Sequence, residues 1–408
     1  MSHPGPIRVA VIDIAQPIVD LDCRRRQEPP YAAAWVLACR DGRPLGSVEL
    51  PLEGTNISAR RLERELRASL GDVWDRQPPA DAPPLARASV VVPSAMSRPE
   101  QLRRCVRSLT QLDHPDFEVI VVDNRPAGAP PVELPGVRVV CERRPGISAA
   151  RNRGLEEATG EIIAFTDDDV QVDKRWLRAL GERFARSPEL SAVTGLVVPA
   201  ELETPAQIFF EQSGSGLDRG YRALAFERVG RFTVKRTDLE AGSERVHSLY
   251  ETGELGLGSN MAFRASALRA AGGFDEALGT GTPTRGGEDL AILVELLRAG
   301  HRLAYEPGAI VHHTHRATMD DLERQIHGYG LGFTAMLTAI ALRDPRHFAG
   351  LASVVPAWLR SLRDPASAKR ANRTEQYPSD LSHTELRGML AGPVAYLRAR
   401  RMQRRWAA

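Results

Sequence analysis

The sequence predicts an α/β fold around a mostly parallel sheet, and three observations carry that prediction. Between residues 88 and 165, short apolar runs at 89–93, 117–123, 137–140 and 161–165 alternate with segments of helical spacing. Several of these runs are apolar along most of their length, which marks strands covered on both faces, as parallel strands are. Polar residues close three of them: Ser94, Asp123, and the run of Asp167, Asp168 and Asp169. In open α/β sheets ligands sit at the carboxyl ends of the strands.

The chain of 408 residues is long for one core, so several parts are expected. Residues 1–76 read as a small α+β module of unknown role. They carry a strand at 8–14, a hairpin of strands at 32–38 and 46–52 turning at Asp41-Gly42, and a helix from Ser58, a plausible N-cap, to Leu70. A proline-rich linker follows at 77–87. Residues 88–330 form the sheet-bearing domain, whose first helix has Leu102, Val106 and Leu109 on one face. The stretch from 201 to 257 lacks strong periodicity and reads as an irregular loop region beside the site. Residues 331–408 are helical in pattern and end in a basic, tryptophan-bearing tail. That tail reads either as a frayed terminus or as a segment lying on an anionic membrane surface.

Composition narrows the function classes. A content of 42% hydrophobic and 26% charged residues suits a soluble globular protein, and a net charge of +2 argues against a general nucleic-acid binder. Cys23, Cys39, Cys105 and Cys141 are scattered, with neither disulfide nor metal spacing, and suit reduced thiols. The N-terminus lacks a signal-peptide pattern, and the least charged stretch, 328–342, is short and glycine-containing for a spanning helix. These features predict a cytoplasmic protein, with peripheral membrane contact through the basic tail as the variant.

Chemistry concentrates in a few places. Three adjacent carboxylates repel one another unless a cation sits among them; the other reading is a solvated acidic turn. Asp123 and Asn124 can accept from a ribose hydroxyl or base, or simply start a turn. Ser148 is placed to cap a helix whose first turn carries Arg151, a group able to reach a phosphate. Glu288 and Asp289 open a helix reaching Arg298, as a capping pair, a catalytic pair, or both. In His312, His313, Thr314 and His315, strand alternation puts His313 and His315 on one face and His312 on the other. One of the first pair is a candidate metal or phosphate contact, against an ordinary polar role. Neither GxGxxG nor GxxxxGK[ST] occurs, which disfavours the common dinucleotide and P-loop sites.

Seven motifs in order then resemble one family. They are Ser89-Val90-Val91-Val92-Pro93, Val121-Val122-Asp123-Asn124, the segment from Pro145 to Asn152, Phe165-Thr166-Asp167-Asp168-Asp169, Gly258-Ser259-Asn260, Gly272-Gly273-Phe274-Asp275-Glu276, and Gly286-Gly287-Glu288-Asp289-Leu290. Over about residues 88–320 the series resembles the family 2 glycosyltransferases, which have the GT-A fold. The resemblance implies inverting transfer of a sugar from a nucleoside-diphosphate sugar to an acceptor hydroxyl on a glycan, lipid or small metabolite. It implies a Mn²⁺ or Mg²⁺ ion held directly by Asp169, with Asp167 facing the nucleotide or donor sugar and a further candidate ligand; His313, from the residue reading above, is the third candidate ligand. Pro93, Ser94, Asp123, Asn124, Arg151, Asp167 and Asp168 would border the donor, and Asp289, with Glu288 as alternative, would be the general base. The competing expectations are a nucleotidyltransferase, disfavoured because 94–98 lacks a glycine-rich lysine loop, and a non-catalytic nucleotide-sugar binder.

Overall fold

A computed structural model describes residues 5–77, 82–130, 132–213, 220–361, 373–374 and 376–406. Its first unit comprises β1 (Ile7–Asp13), β2 (Leu21–Asp22), β3 (Ala33–Arg40), β4 (Arg43–Pro51), β5 (Asn56–Ile57) and α1 (Ala59–Leu70). β3 and β4 form the hairpin expected at Asp41-Gly42, where both residues have positive φ. β1 pairs with β3 in parallel. Ser58 caps α1 by accepting from the Arg61 N–H, and Leu62, Leu66 and Leu70 bury one helix face against the sheet. The opposite face sends Leu37 and Cys39 into the main core. Arg43 pairs with Glu182, and Arg25 with Glu203, which tie this unit to the rest. Residues 78–81 of the expected linker lie outside the described residues.

The main sheet begins with β6 (Ala88–Ser94), α2 (Pro99–Leu109), β7 (Phe117–Asp123), β8 (Arg138–Cys141), α3 (Ile147–Glu157) and β9 (Ile162–Phe165). Next come β10 (Val170–Val172), α4 (Trp176–Arg186), β11 (Leu190–Pro199) and α5 (Pro205–Gln212). A meander of β12 (Leu224–Arg228), β13 (Thr233–Asp238) and β14 (Glu244–Ser248) precedes β15 (Met261–Arg264), α6 (Ala265–Ala270), α7 (Glu288–Arg298) and β16 (Arg302–His313). The strand order is β14-β13-β12-β16-β11-β15-β9-β6-β7-β8. β8, β7, β6 and β9 are parallel neighbours, as are β11 and β16; in this centre only β15 runs the other way, between the two groups. The expected mostly parallel central sheet is therefore present, with apolar cores on both faces.

The stretch from 201 to 257 corrects the expectation of an irregular region, since it holds α5 and the β12–β14 meander. Its outermost strand, β14, forms one edge of the sheet, and charges stand on the more open positions of the meander: Lys235 bridges Glu227 and Glu244. Charges on the solvent side mask the period that a buried strand would print. Residues 214–216 of its glycine-rich part lie outside the described residues.

Three long helices follow: α8 (Met319–Arg343), α9 (His347–Ser361) and α10 (Ser379–Trp406). The tail is helical through Trp406, which corrects the frayed reading. α10 lies against α8 through small residues. A Cβ on Gly388 would meet the His327 carbonyl oxygen, and one on Gly392 would meet Thr334 Oγ1, so bulkier residues here would force the two helices apart.

Candidate functional site

The carboxyl ends of β6, β7 and β9 meet the N-terminus of α7, and this junction brings both acidic clusters together. α7 starts after Gly287, which takes φ 89° and packs against the Gly332 carbonyl, a conformation and approach suited to glycine. Glu288 and Asp289 form the first turn of the helix, where backbone N–H groups favour carboxylates. Asp289 Oδ2 accepts from the Gly258 N–H at 2.8 Å and Oδ1 from the Leu290 N–H at 2.8 Å. Its side chain is half-buried, whereas Glu288 is buried.

Arg151 joins the two clusters. It is 1% exposed, and its guanidinium reaches Glu288 at 2.7 Å, Asp167 at 3.2 Å and the Gly258 carbonyl at 3.2 Å. Burial pushes Glu288 up to about 7, with the neighbouring Asp289 charge adding to it. Burial likewise pushes Asp167 up to about 6; the Arg151 charge opposes that shift, while Asp169 and Asp168 reinforce it.

Asp168 and Asp169 have different partners. Ser94 Oγ donates to Asp168 at 2.6 Å, and Arg98, at the entrance to α2, bonds Asp169 at 2.8 Å and Asp168 at 3.4 Å. His313 Nε2 stands 3.5 Å from Asp169 Oδ1, and Arg316 lies 3.9 Å from Oδ2. The Thr314 N–H donates to the Asp169 carbonyl, pinning the histidine segment beside the acidic run. His313 and His315 share a face as alternation predicts: their Nδ1 atoms are 2.9 Å apart.

Other expected residues take roles that hold the site rather than open toward it. Ser148 is inside α3, not its cap. Gly146, with φ 116°, occupies the N-cap position, and the Ser148 hydroxyl donates to the Leu278 carbonyl. Asp123 is buried at the end of β7; burial works against its charge, but Arg125 hydrogen bonds hold its carboxyl below the usual range. Asn124 clamps the following loop, donating to the Glu142 and Arg144 carbonyls and accepting from the Gly146 N–H. Pro93 is buried within β6 opposite Val122.

Sequence reasoning missed Arg98, whose arginine type before a helix gave no signal of its reach to Asp169. It named the motif around Gly258 without seeing its use. A Cβ there would lie 2.7 Å from Arg151 Nη2 and 3.2 Å from Asp289 Oδ2. Two residues on, Asn260 donates to the Leu196 and Ala309 carbonyls and accepts from the Trp176 indole N–H. It thereby stitches β11 to β16 where their register shifts. Glu211 of α5 is a further member, hydrogen-bonded to His315.

Comparison with known proteins shows what the chain is similar to. The profile of glycosyl transferase family 2 matches residues 89–213, and that of glycosyl transferase family group 2 matches residues 162–363. A pre-mycofactocin glycosyltransferase of Mycobacterium tuberculosis is 30% identical over 308 residues, covering 72% of this chain and 57% of the relative. A glucosyl-dolichyl phosphate glucuronosyltransferase of Haloferax volcanii is 27% identical over 241 residues, covering 56% of this chain and 69% of that protein. The chain thus spans little more than half the length of the first relative. Among solved structures, a mannosyltransferase of Pyrobaculum calidifontis in complex with GDP-Man and Mn²⁺ aligns with a TM-score of 0.46 at 16% identity, over 81% of this chain and 94% of its own. A likeness that loose carries no argument about ligands. The two overlapping profiles cover both acidic clusters and the sheet that presents them: the chain belongs to glycosyl transferase family 2.

Proposed function

We propose that this chain is a metal-dependent inverting glycosyltransferase that moves a sugar from a nucleoside-diphosphate sugar to an acceptor hydroxyl. The observation that carries the reading is the pairing of two acidic clusters across one buried arginine, Asp167–Arg151–Glu288, with Asp289 beside it. Asp289 is the general base. Backbone donors from Gly258 and Leu290 fix the orientation of its carboxylate, leaving lone pairs for a hydroxyl proton. Glu288, neutralised by Arg151, is a positioning residue.

The residues of the acidic run fit a divalent cation, Mn²⁺ or Mg²⁺. Among the described residues no three carboxylate, imidazole or thiol groups already form a metal-holding cluster. Yet Asp167, Asp168, Asp169, Glu288 and Asp289 outnumber the guanidinium groups of Arg98, Arg151 and Arg316 around them. Burial also pushes His313 down to about 4, so its ring is neutral and able to ligate. Asp169 would hold the ion, with Asp167 and His313 completing the set, and Arg98 would release Asp169 to a diphosphate-bound ion. Bound there, a cation supplies Lewis-acid neutralisation of a leaving diphosphate.

A thermal-shift screen of nucleoside-diphosphate sugars with Mn²⁺ tests the reading, since a ligand of the folded state alone raises apparent stability. Pre-mycofactocin and a glycosylated dolichyl phosphate, taken from the relatives' names, are the first acceptors to offer. Free nucleoside diphosphate is the expected product; pyrophosphate would indicate nucleotidyl transfer, and donor binding without turnover a non-catalytic binder. Asp169→Ala is expected to weaken Mn²⁺-dependent donor binding, and unchanged affinity counts against direct ligation.

We infer in addition that α10 meets an anionic membrane surface. Leu386, Leu390, Val394 and Leu397 line its outward face, with Leu390 77% exposed. Exposed Arg387, Arg398, Arg400, Arg401 and Arg404 flank and extend that stripe. Among the described residues no helix is long and apolar enough to cross a membrane. Co-sedimentation with phosphatidylglycerol vesicles, but not with phosphatidylcholine vesicles, is the expected result, lost in Leu390→Glu. Equal partition to both vesicle types, or to neither, rejects the reading.

A further inference from the structure

A chain of three side chains leads away from Asp169 into the protein, and the proposed mechanism uses only its first member. His313 Nε2 faces Asp169 Oδ1 at 3.5 Å, and His313 Nδ1 meets His315 Nδ1 at 2.9 Å. His315 Nε2 then meets Glu211 Oε1 at 2.5 Å. The His315 side chain is fully buried and lies against the Phe210 ring, 4.4 Å between centroids. Phe210 and Glu211 come from α5, whose start is set by the reciprocal capping box of Thr204 and Gln207.

With an ionised carboxylate at Glu211 and neutral rings, proton counting gives this chain one direction. An ionised carboxylate only accepts, so His315 Nε2 carries the hydrogen shared with Glu211. In a neutral His315 the Nδ1 atom is then bare and accepts, so His313 Nδ1 is the donor. A neutral His313 with hydrogen on Nδ1 turns a bare Nε2 toward Asp169. Two acceptors then face each other at 3.5 Å, an arrangement that calls for an electropositive guest between them. The opposite polarity would need a doubly protonated His315 and would place a hydrogen on His313 Nε2, blocking it as a ligand.

We propose that Glu211 and His315 are positioning residues that hold His313 in the Nδ1–H tautomer, with its Nε2 lone pair presented to a divalent cation at Asp169. The inference rests on the metal reading above. It adds two residues far from the acidic run in sequence, and Glu211 belongs to a helix none of the family motifs includes. Outer partners of this kind orient a metal-ligating ring and raise its basicity.

Two measurements on the full chain test it. In the metal-free protein labelled with ¹⁵N-histidine, long-range ¹H–¹⁵N spectra are expected to give His313 the Nδ1–H pattern and His315 the Nε2–H pattern. A His313 Nε2–H signal overturns the proposal. In calorimetric titration with Mn²⁺, Glu211→Ala is expected to weaken binding roughly 10–100-fold. Glu211→Gln, whose amide oxygen still accepts from His315 Nε2, should stay close to the unsubstituted chain. Equal Mn²⁺ affinity in Glu211→Ala and the unsubstituted chain overturns the proposal, as does equal loss in both variants with unchanged melting temperatures. If the unsubstituted chain binds no Mn²⁺ while its histidines show the expected tautomers, the metal reading fails and the relay stands as a structural device only. Should Glu211→Ala fail to fold, the spectra of the unsubstituted chain and the Glu211→Gln titration still decide.

Discussion

The two acidic clusters of this site hold their charge by different means. Glu288 is tied to Arg151, a guanidinium that is 1% exposed and also bonds Asp167 and the Gly258 carbonyl. Asp289 beside it is held by backbone N–H groups. Asp168 and Asp169 are met by Arg98, whose side chain is 30% exposed, and by the more distant Arg316. A buried arginine with three partners cannot leave without stranding charge in the interior. A part-exposed one can swing into water at little cost. The two clusters therefore differ in how firmly their arginine is anchored: the helix-borne pair is held in a fixed geometry, whereas Arg98 can leave the strand-borne run.

Four substitutions sharpen or break that contrast. Asp289→Asn is expected to have the largest effect, a fall in kcat of roughly 10²–10⁴-fold with donor affinity nearly intact. Turnover near the unsubstituted rate would remove Asp289 as the base and leave the fixed cluster without a catalytic role. Arg151→Met comes next. It strands Glu288 and Asp167 and should cost roughly 3–5 kcal/mol in urea unfolding. A loss under about 1 kcal/mol would mean the buried bridge is no more anchored than Arg98.

Gly258→Ala is expected to matter less for stability, roughly 1–3 kcal/mol from overpacking. Its methyl group would press on both Arg151 and Asp289, so transfer should fall further than stability alone explains. Normal kcat in that variant would show that the helix-borne cluster tolerates displacement. Arg98→Ala is the mildest for folding, within about 1 kcal/mol. It should leave the melting temperature nearly unchanged while altering the Mn²⁺ dependence of donor binding. An unfolding loss as large as that of Arg151→Met would erase the distinction between the two arginines.

Much of the fold was legible beforehand because its signals are local. The helix Pro99–Leu109 and the strand Phe117–Asp123 follow the apolar pattern residue for residue. The turn at Asp41-Gly42 and the cap at Ser58 rest on chemistry within a few positions. Where the pattern is not local, it misled. Ser148 looked like a cap because serine favours that place, yet Gly146 alone adopts the φ of 116° that the entry to α3 requires. The β12–β14 meander was hidden because Glu227, Lys235 and Glu244 stand on its half-exposed and exposed positions and break up the apolar pattern.

The sequence by itself determined that carboxylates end a strand at Asp167, Asp168 and Asp169 and open a helix at Glu288 and Asp289. It also determined which histidines share a face. Periodicity and capping are properties of neighbouring residues, so they can be read from one strand or one helix at a time. Only the tertiary structure decided which cation each carboxylate meets. Arg151 and Glu288 are 137 positions apart, Arg98 and Asp169 are 71 apart, and His315 and Glu211 are 104 apart. Such pairs form only when the central sheet closes and brings α3, α5 and α7 to the ends of its strands. Their strength depends on how deeply that closure buries them, which no local pattern encodes.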